Sequence, residues 1–368
     1  MTTILHIMDF AAPYKGNFIS SIQSLGKRIN QDKGRLIYLL PLSAKALDWV
    51  KELKEGGESV YFINNSFFSK RIKYRNIILL KEIIKKEQVN IIHTHFLAYN
   101  YTLFLIKIFF AGNIDIIGHF HNTFLPPKNI LQKFRIFIVR STCSLIIGVS
   151  PSVAESVIKA GIKANKVTCI PNAIDFKRLD NYKQIKLAEN QTQKVILIFG
   201  WPFQRKGVDI VLEAIRQLNE ENSNIILAIS LAGGNEIFEK EIIKQLGDIP
   251  SWIKILKPIN SVASYYNASD IFISAGREEG MNYSVMEAAY CRCSIIASEI
   301  PGNPKEIPNQ YRYPVENINQ LKETVSCLLK KNNTELDRMK LEQKEFVCNN
   351  YDLSIWTERV IGIYNTRQ

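Results

Sequence analysis

The 368-residue sequence has no apolar run of membrane-spanning length. The longest, "YTLFLIKIFFA" from Tyr101 to Ala111, is about half of the roughly 20 residues a spanning helix needs, and it holds Lys107 inside it. The opening "MTTILHIMDF" has no basic stretch ahead of its apolar residues and reads as a first strand, not a secretory signal, which makes the expected location cytoplasmic. Cysteine is sparse and unpatterned: six residues, at 143, 169, 291, 293, 327 and 348, show no CxxC spacing. That excludes a disulfide framework or zinc ribbon and predicts reduced core thiols. Also missing are a GxxxxGK[ST] phosphate loop, a D-x-D pair that would hold a divalent ion against a diphosphate, short repeats, low-complexity tracts, and the aromatic-interleaved basic repeats of a nucleic-acid module.

Acidic residues are scarce in one half only. Residues 1–186 hold 27 Lys+Arg against 12 Asp+Glu, whereas residues 187–368 hold 20 against 23, so the net charge of +12 originates entirely in the first half. A basic half implies an anionic partner: a phosphorylated substrate, an acidic membrane surface or nucleic acid. Because no nucleic-acid module is visible, a non-enzymatic basic nucleic-acid-binding protein is the weaker reading, and no nucleic-acid partner is expected. The segment "FFSKRIKYRNIILLKEIIKK", residues 67–86, sets cations beside apolar residues at near-helical spacing and is the expected contact with an anionic membrane.

What is present is an alternation of short apolar runs with amphipathic stretches. "TILHIM", "GRLIYLLPL", "VNIIHTH", "IDIIGHF", "CSLIIGVS" and "KVTCIPN" come first, and the pattern restarts with "KVILIFG", "NIILAISLAGG", "IKILKPI", "DIFISAG" and "CSIIAS". Such alternation predicts an α/β fold of two Rossmann-like, doubly wound parallel-sheet domains facing across a cleft, with chemistry at the carboxyl ends of the strands. The expected organisation is an N-terminal domain over 1–175, a linker over 176–192 and a C-terminal domain over 193–350, with a helix over 351–368 packing back on the first.

Three clusters carry chemistry. In "REEGMNYSVMEAA", residues 277–289, Glu279 and Glu287 stand at E-x7-E spacing across a loop-to-helix junction. Ser284 and Glu287 form an S-x-x-E capping box, and the helix start suits a phosphate. Glu279 has no capping role and reads as a sugar-hydroxyl acceptor. In "FGWPFQRKGVDIVLEAI", residues 199–215, Arg205 and Lys206 precede a helix that should begin near Val208. Cations there oppose the helix dipole, so an anion is needed to rationalise them. "HTH" (His93, His95) and "HFH" (His119, His121) close two apolar strands and hold all but one of the five histidines. Residues two apart share a strand face, which makes a metal site conceivable, but with no carboxylate or cysteine cluster beside them they read as polar cleft lining and no metal is expected.

Together with "GVSPSVAESVIKAGI", "KVTCIPNAID", "GNPKEI" and a weaker "PYKGNF" near the start, these segments resemble, in order, glycosyltransferase family 4. The resemblance is good over 145–307 and poor over the first hundred residues. It implies the GT-B fold and a retaining, metal-independent transferase that moves a hexose from a UDP- or GDP-sugar, UDP favoured, to a hydroxyl of a cell-envelope glycan or lipid-linked intermediate. A sugar-phosphate or glycogen-type transferase of the same fold is the alternative. No cofactor is implied beyond the nucleotide-sugar co-substrate. The implied location is cytoplasmic, with peripheral contact on the inner membrane face. On this resemblance Glu279 contacts the donor sugar and Glu287 the ribose. Met281, Asn282, Tyr283 and Ser284 supply backbone amides, and Arg205 and Lys206 bind the diphosphate above the Gly16 loop. His121 lies near the reacting sugar. Three positions depart from the family pattern: Gly200-Trp201 where Gly-Arg is usual, Ala173 after Pro171-Asn172, and Asn282 in place of glycine.

Overall fold

The computed structural model describes residues 2–64, 74–96, 99–110, 114–221, 223–231, 235–257, 259 and 261–367. The chain divides into two units, residues 1–173 with 353–368, and residues 174–352. Among the described residues no helix is long and apolar enough to cross a membrane.

The first unit is built on seven parallel strands: β1 (Thr3–Ile7), β2 (Arg35–Pro41), β3 (Ser59–Ile63), β4 (Ile91–His95), β5 (Asp115–Phe120), β6 (Leu145–Gly148) and β7 (Val167–Cys169), in the order β3-β2-β1-β4-β5-β6-β7. The strands are apolar and mostly buried because helices cover both faces of a parallel sheet. The order reverses between β1 and β4, the switch point where such sheets open a crevice at their carboxyl ends. The C-terminal helix Leu353–Asn365 lies on the helix Gly16–Gln31 and sends Trp356, Val360, Ile361 and Tyr364 into this unit's core.

The second unit has six parallel strands: β8 (Lys194–Phe199), β9 (Ile225–Ser230), β10 (Ile253–Leu256), β11 (Ile271–Ser274), β12 (Ser294–Ser298) and β13 (Tyr311–Tyr313), in the order β10-β9-β8-β11-β12-β13. Its switch point falls between β8 and β11, each of which leads into a helix, Val208–Glu220 and Tyr283–Tyr290. Residues 176–192, read as a linker, belong to this unit. They include the helix Lys177–Asp180, and Phe176 stacks on Tyr290 with ring centroids 4.4 Å apart.

The thiols need one correction. All six cysteines are free, but only Cys143 and Cys293 are fully buried, and Cys327 is exposed. Local apolar neighbours in sequence did not distinguish a helix's inward face from its outward one. Of the basic segment 67–86, expected to meet an anionic membrane, residues 67–73 lie outside the described residues; the helix Tyr74–Glu87 that follows turns Leu80 and Ile83 inward and leaves Tyr74 and Ile78 exposed.

Candidate functional site

The second unit gathers its charged residues at the β8/β11 switch point. Lys206 Nζ donates to Glu279 Oε1 at 2.5 Å, and Arg205 reaches Glu279 Oε2 at 3.4 Å and the Glu278 carbonyl at 3.4 Å. The anion that Arg205 and Lys206 require at a helix start is therefore supplied within the chain by Glu279, 73 residues from Lys206. Lys206 is half-buried and Arg205 exposed, so the lysine is the more firmly placed cation.

Two glycines let the loops approach this closely. Gly207, at φ +66°, faces the Ala275 carbonyl oxygen so tightly that an added Cβ would lie 2.1 Å from it. Gly302 meets the Glu279 carbonyl oxygen in the same way, at 2.0 Å. Behind the loop, Asn282 Nδ2 donates to Ser274 Oγ at 2.7 Å and to Asn303 Oδ1 at 2.9 Å, while Asn303 Nδ2 donates to the Ser298 carbonyl at 2.8 Å. These side chains are buried and mutually satisfied, so the network fixes the backbone from Ser274 to Asn303.

Asn282 also corrects the expected capping box. Its Oδ1 accepts from the Ser284 amide at 3.1 Å, which makes it the N-cap of Tyr283–Tyr290 and places Ser284 inside the helix. An asparagine caps as well as a serine, and the buried partners of its Nδ2 decide which residue takes the role. Of the four residues read as amide donors, Asn282 donates its N–H to the Gly302 carbonyl at 2.9 Å and Ser284 to Asn282, so those two amides are used within the fold. Met281 and Asn282 are buried, and Tyr283 and Ser284 are half-buried.

Glu287 is 5% exposed. It accepts from Arg178 and, at 3.1 Å, from Tyr266 Oη. Sequence reading missed Arg178 because it lies in the stretch taken for a linker. It also missed Arg277, which opens the quoted motif. The Arg277 guanidinium is bidentate to Asp209, at 2.9 and 2.8 Å, and reaches Glu316 at 2.6 Å. Those hydrogen bonds, Asp209 first, hold it protonated even more firmly than a free arginine. It pins the loop after β11 to the helix Val208–Glu220. Trp201 is exposed at 40%.

In the first unit Gly16 begins the helix Gly16–Gln31 at φ +54°, a left-handed position that suits glycine. Four of the five histidines, read from sequence as cleft lining apart from His6, form an interior layer. His6, His93, His95 and His119 are at most 1% exposed, and only His121, past the end of β5, is half-exposed. His121 lines a cavity with Phe96, Phe120, Asn122, Thr123 and Arg135. Spacing put the doublets on one face, but only the pairing of β1 with β4 brings in His6.

Residues 42–178 match the family model for Glycosyltransferase Family 4, and residues 193–331 match that for Glycosyl transferases group 1. The chain belongs to the family 4 glycosyltransferases, and its fold is GT-B. It is a glycosyltransferase. It is 22% identical over 391 residues to the GPI3 subunit of phosphatidylinositol N-acetylglucosaminyltransferase of Saccharomyces cerevisiae, which covers 98% of this chain and 82% of that one. Over 262 residues it is 24% identical to the alpha-monoglucosyldiacylglycerol synthase of Streptococcus pneumoniae, with 65% of this chain and 58% of that one covered. Among solved structures, a glycosyltransferase from Rickettsia africae superposes with a TM-score of 0.82 at 20% identity, covering 100% of this chain and 98% of that one. Anabaena Alr3699/HepE in complex with UDP-glucose gives 0.76 at 14%, with both chains fully covered.

Proposed function

We propose that the protein is a retaining, metal-independent hexosyltransferase that moves a sugar from a UDP- or GDP-sugar to a hydroxyl of a lipid-linked or envelope glycan acceptor. The observation that carries this reading is the Lys206–Glu279 pair, set between two helix starts at the β8/β11 switch point. When the anomeric bond breaks, charge grows on the leaving diphosphate. Lys206 and Arg205, with the positive ends of the two helices, stabilise that charge where a divalent ion would otherwise be needed. Glu279, freed from Lys206 by the incoming diphosphate, accepts from a donor-sugar hydroxyl, and Glu287, oriented by Arg178 and Tyr266, accepts from the ribose. The leaving phosphate takes the acceptor's proton on the same face, which retains configuration, and His121 orients the reacting sugar. The yeast relative is named for a lipid acceptor and the streptococcal one for a glycolipid product, which favours a lipid-linked acceptor.

The surface of the first unit fits such an acceptor. The helices Asn100–Phe109 and Ile130–Thr142 pack on each other through Phe104 and Phe137, with ring centroids 6.2 Å apart. Ile130 and Leu131 are 81% and 76% exposed, Phe134 is exposed one turn on, and Lys128, Lys133 and Arg135 lie among them. An apolar stripe edged by cations binds an anionic bilayer from one side. Incubating the chain with UDP- and GDP-hexoses and a lipid acceptor in EDTA, and reading the anomeric configuration of the product by NMR, tests the proposal. An inverted product, or turnover that requires an added divalent ion, refutes it.

A further inference from the structure

All five histidines of the chain meet on one face of the first sheet. His6 on β1 is in register with His93 on β4, and His95 on β4 with His119 on β5. One nitrogen each of His95, His119 and His121 lies within 4.8 Å of the other two. We infer that His95, His119 and His121 form a binding site for a divalent transition-metal ion of the zinc type.

Three features of the layer point to an ion. The Nε2 atom of His119 is buried and has no hydrogen-bond partner among the described residues, an orphan in an otherwise paired cluster. The His95 Nδ1 to His121 Nε2 separation is 3.2 Å. That matches the edge of a tetrahedron around zinc, about 3.3 Å for Zn–N bonds of about 2.0 Å. The second nitrogens of His119 and His95 are fastened from behind: His119 Nδ1 to His93 Nε2 at 3.1 Å, and His95 Nε2 to His6 Nδ1 at 3.3 Å. Metal-bound imidazoles are oriented by such partners at their second nitrogen.

The protons also balance. With metal on His119 Nε2 and His95 Nδ1, His119 donates Nδ1–H to His93 and His95 donates Nε2–H to His6. His93 and His6 then both donate onward to Tyr364 Oη, at 2.5 and 2.8 Å. The two chains meet at one phenol oxygen, which accepts both. The all-nitrogen set favours zinc, copper or nickel over magnesium or calcium. The cavity that His121 lines with Phe96 and Arg135 gives an ion access to that ligand.

The site itself does not depend on the proposed transferase reading. One corollary does: an ion holding His121 removes it from the reacting sugar, so zinc inhibits turnover.

Cobalt(II) is the direct probe, added to the full-length chain after chelator treatment. The expected result is one Co²⁺ per chain with the intense visible d–d bands of a tetrahedral nitrogen site, displaced by Zn²⁺. His121→Ala, at a half-exposed position, should keep the parent's far-UV CD and its melting temperature in EDTA but bind Co²⁺ at least about 10-fold more weakly. Tyr364→Phe, which removes the outer link, should cost about 10- to 100-fold. Cys327→Ser, which deletes the exposed thiol, should bind like the parent. Absence of the bands in the parent, or equal affinity in a folded His121→Ala variant, overturns the site. Loss of binding in Cys327→Ser overturns it as well.

Discussion

Lys206 Nζ and Glu279 Oε1 are 2.5 Å apart, so the cation expected on the diphosphate and the carboxylate expected on the sugar are each other's partners. A diphosphate entering the second unit exchanges one charge-assisted contact of Lys206 for another. Its gain therefore comes mainly as charge develops on the leaving group. Lys206→Ala should lower kcat by about 10- to 150-fold, the equivalent of about 1.5–3 kcal/mol, with little change in donor affinity. Arg205, exposed and 3.4 Å from Glu279, should have the smaller effect. Steady-state kinetics of the two alanine variants check both the size and the order.

Gly302→Ala tests the close approach of the two loops. The new methyl would lie 2.0 Å from the Glu279 carbonyl oxygen, so the Glu279 loop must move. Overpacking of this kind costs about 1–3 kcal/mol. We expect a melting temperature lower by a few degrees and kcat/KM lower by at least about 10-fold. An unchanged kcat/KM would mean that the loop's position does not matter to the chemistry.

Glu287→Ala separates ribose binding from structure. It removes a charged partner of the partly buried Arg178 and an acceptor from Tyr266, so stability should drop by about 1–3 kcal/mol. Glu287→Gln keeps an acceptor for Tyr266 and should melt closer to the parent. Both should weaken nucleotide-sugar binding in calorimetry. A variant that melts lower yet binds the donor as tightly as the parent removes the ribose assignment.

The outward face of Ile130–Thr142 should carry the chain to anionic lipid. Replacing Leu131 and Phe134 with serine removes two exposed apolar side chains and no core contact, so the melting temperature should hold. Sedimentation with phosphatidylglycerol vesicles should fall sharply, and charge reversal at Lys133 should reduce it further at low salt. Equal sedimentation of parent and variant would place the lipid contact elsewhere.

Eleven of the thirteen strands among the described residues were legible in sequence because a parallel sheet buried on two faces leaves continuous apolar runs; β3, β13 and the strand order that sets the switch points were not. Glu279, Glu287, Arg205 and Lys206 were legible as a group because charged residues at strand ends have few structural reasons to be there. Their partners were not. The contacts of Lys206 with Glu279, Arg178 with Glu287 and Arg277 with Asp209 span 73, 109 and 68 positions, and no local spacing encodes them. Asn282 was read as a departure from a glycine pattern, while its role as cap and network hub depends on Asn303 and Ser274 behind it. The histidine layer was half legible: strand periodicity put two doublets on common faces, and burial by the C-terminal helix could be read only from the fold.

The most direct test is calorimetric titration of the parent, Lys206→Ala and Glu287→Ala chains with UDP- and GDP-hexoses in EDTA. The parent should bind at least one of these donors without metal, Glu287→Ala should bind it at least about 10-fold more weakly, and Lys206→Ala should bind it nearly as well while its separately assayed kcat falls by about 10- to 150-fold. No binding of any nucleotide sugar by the parent, or parental affinity and turnover in both variants, would contradict the assignment of this site to the donor.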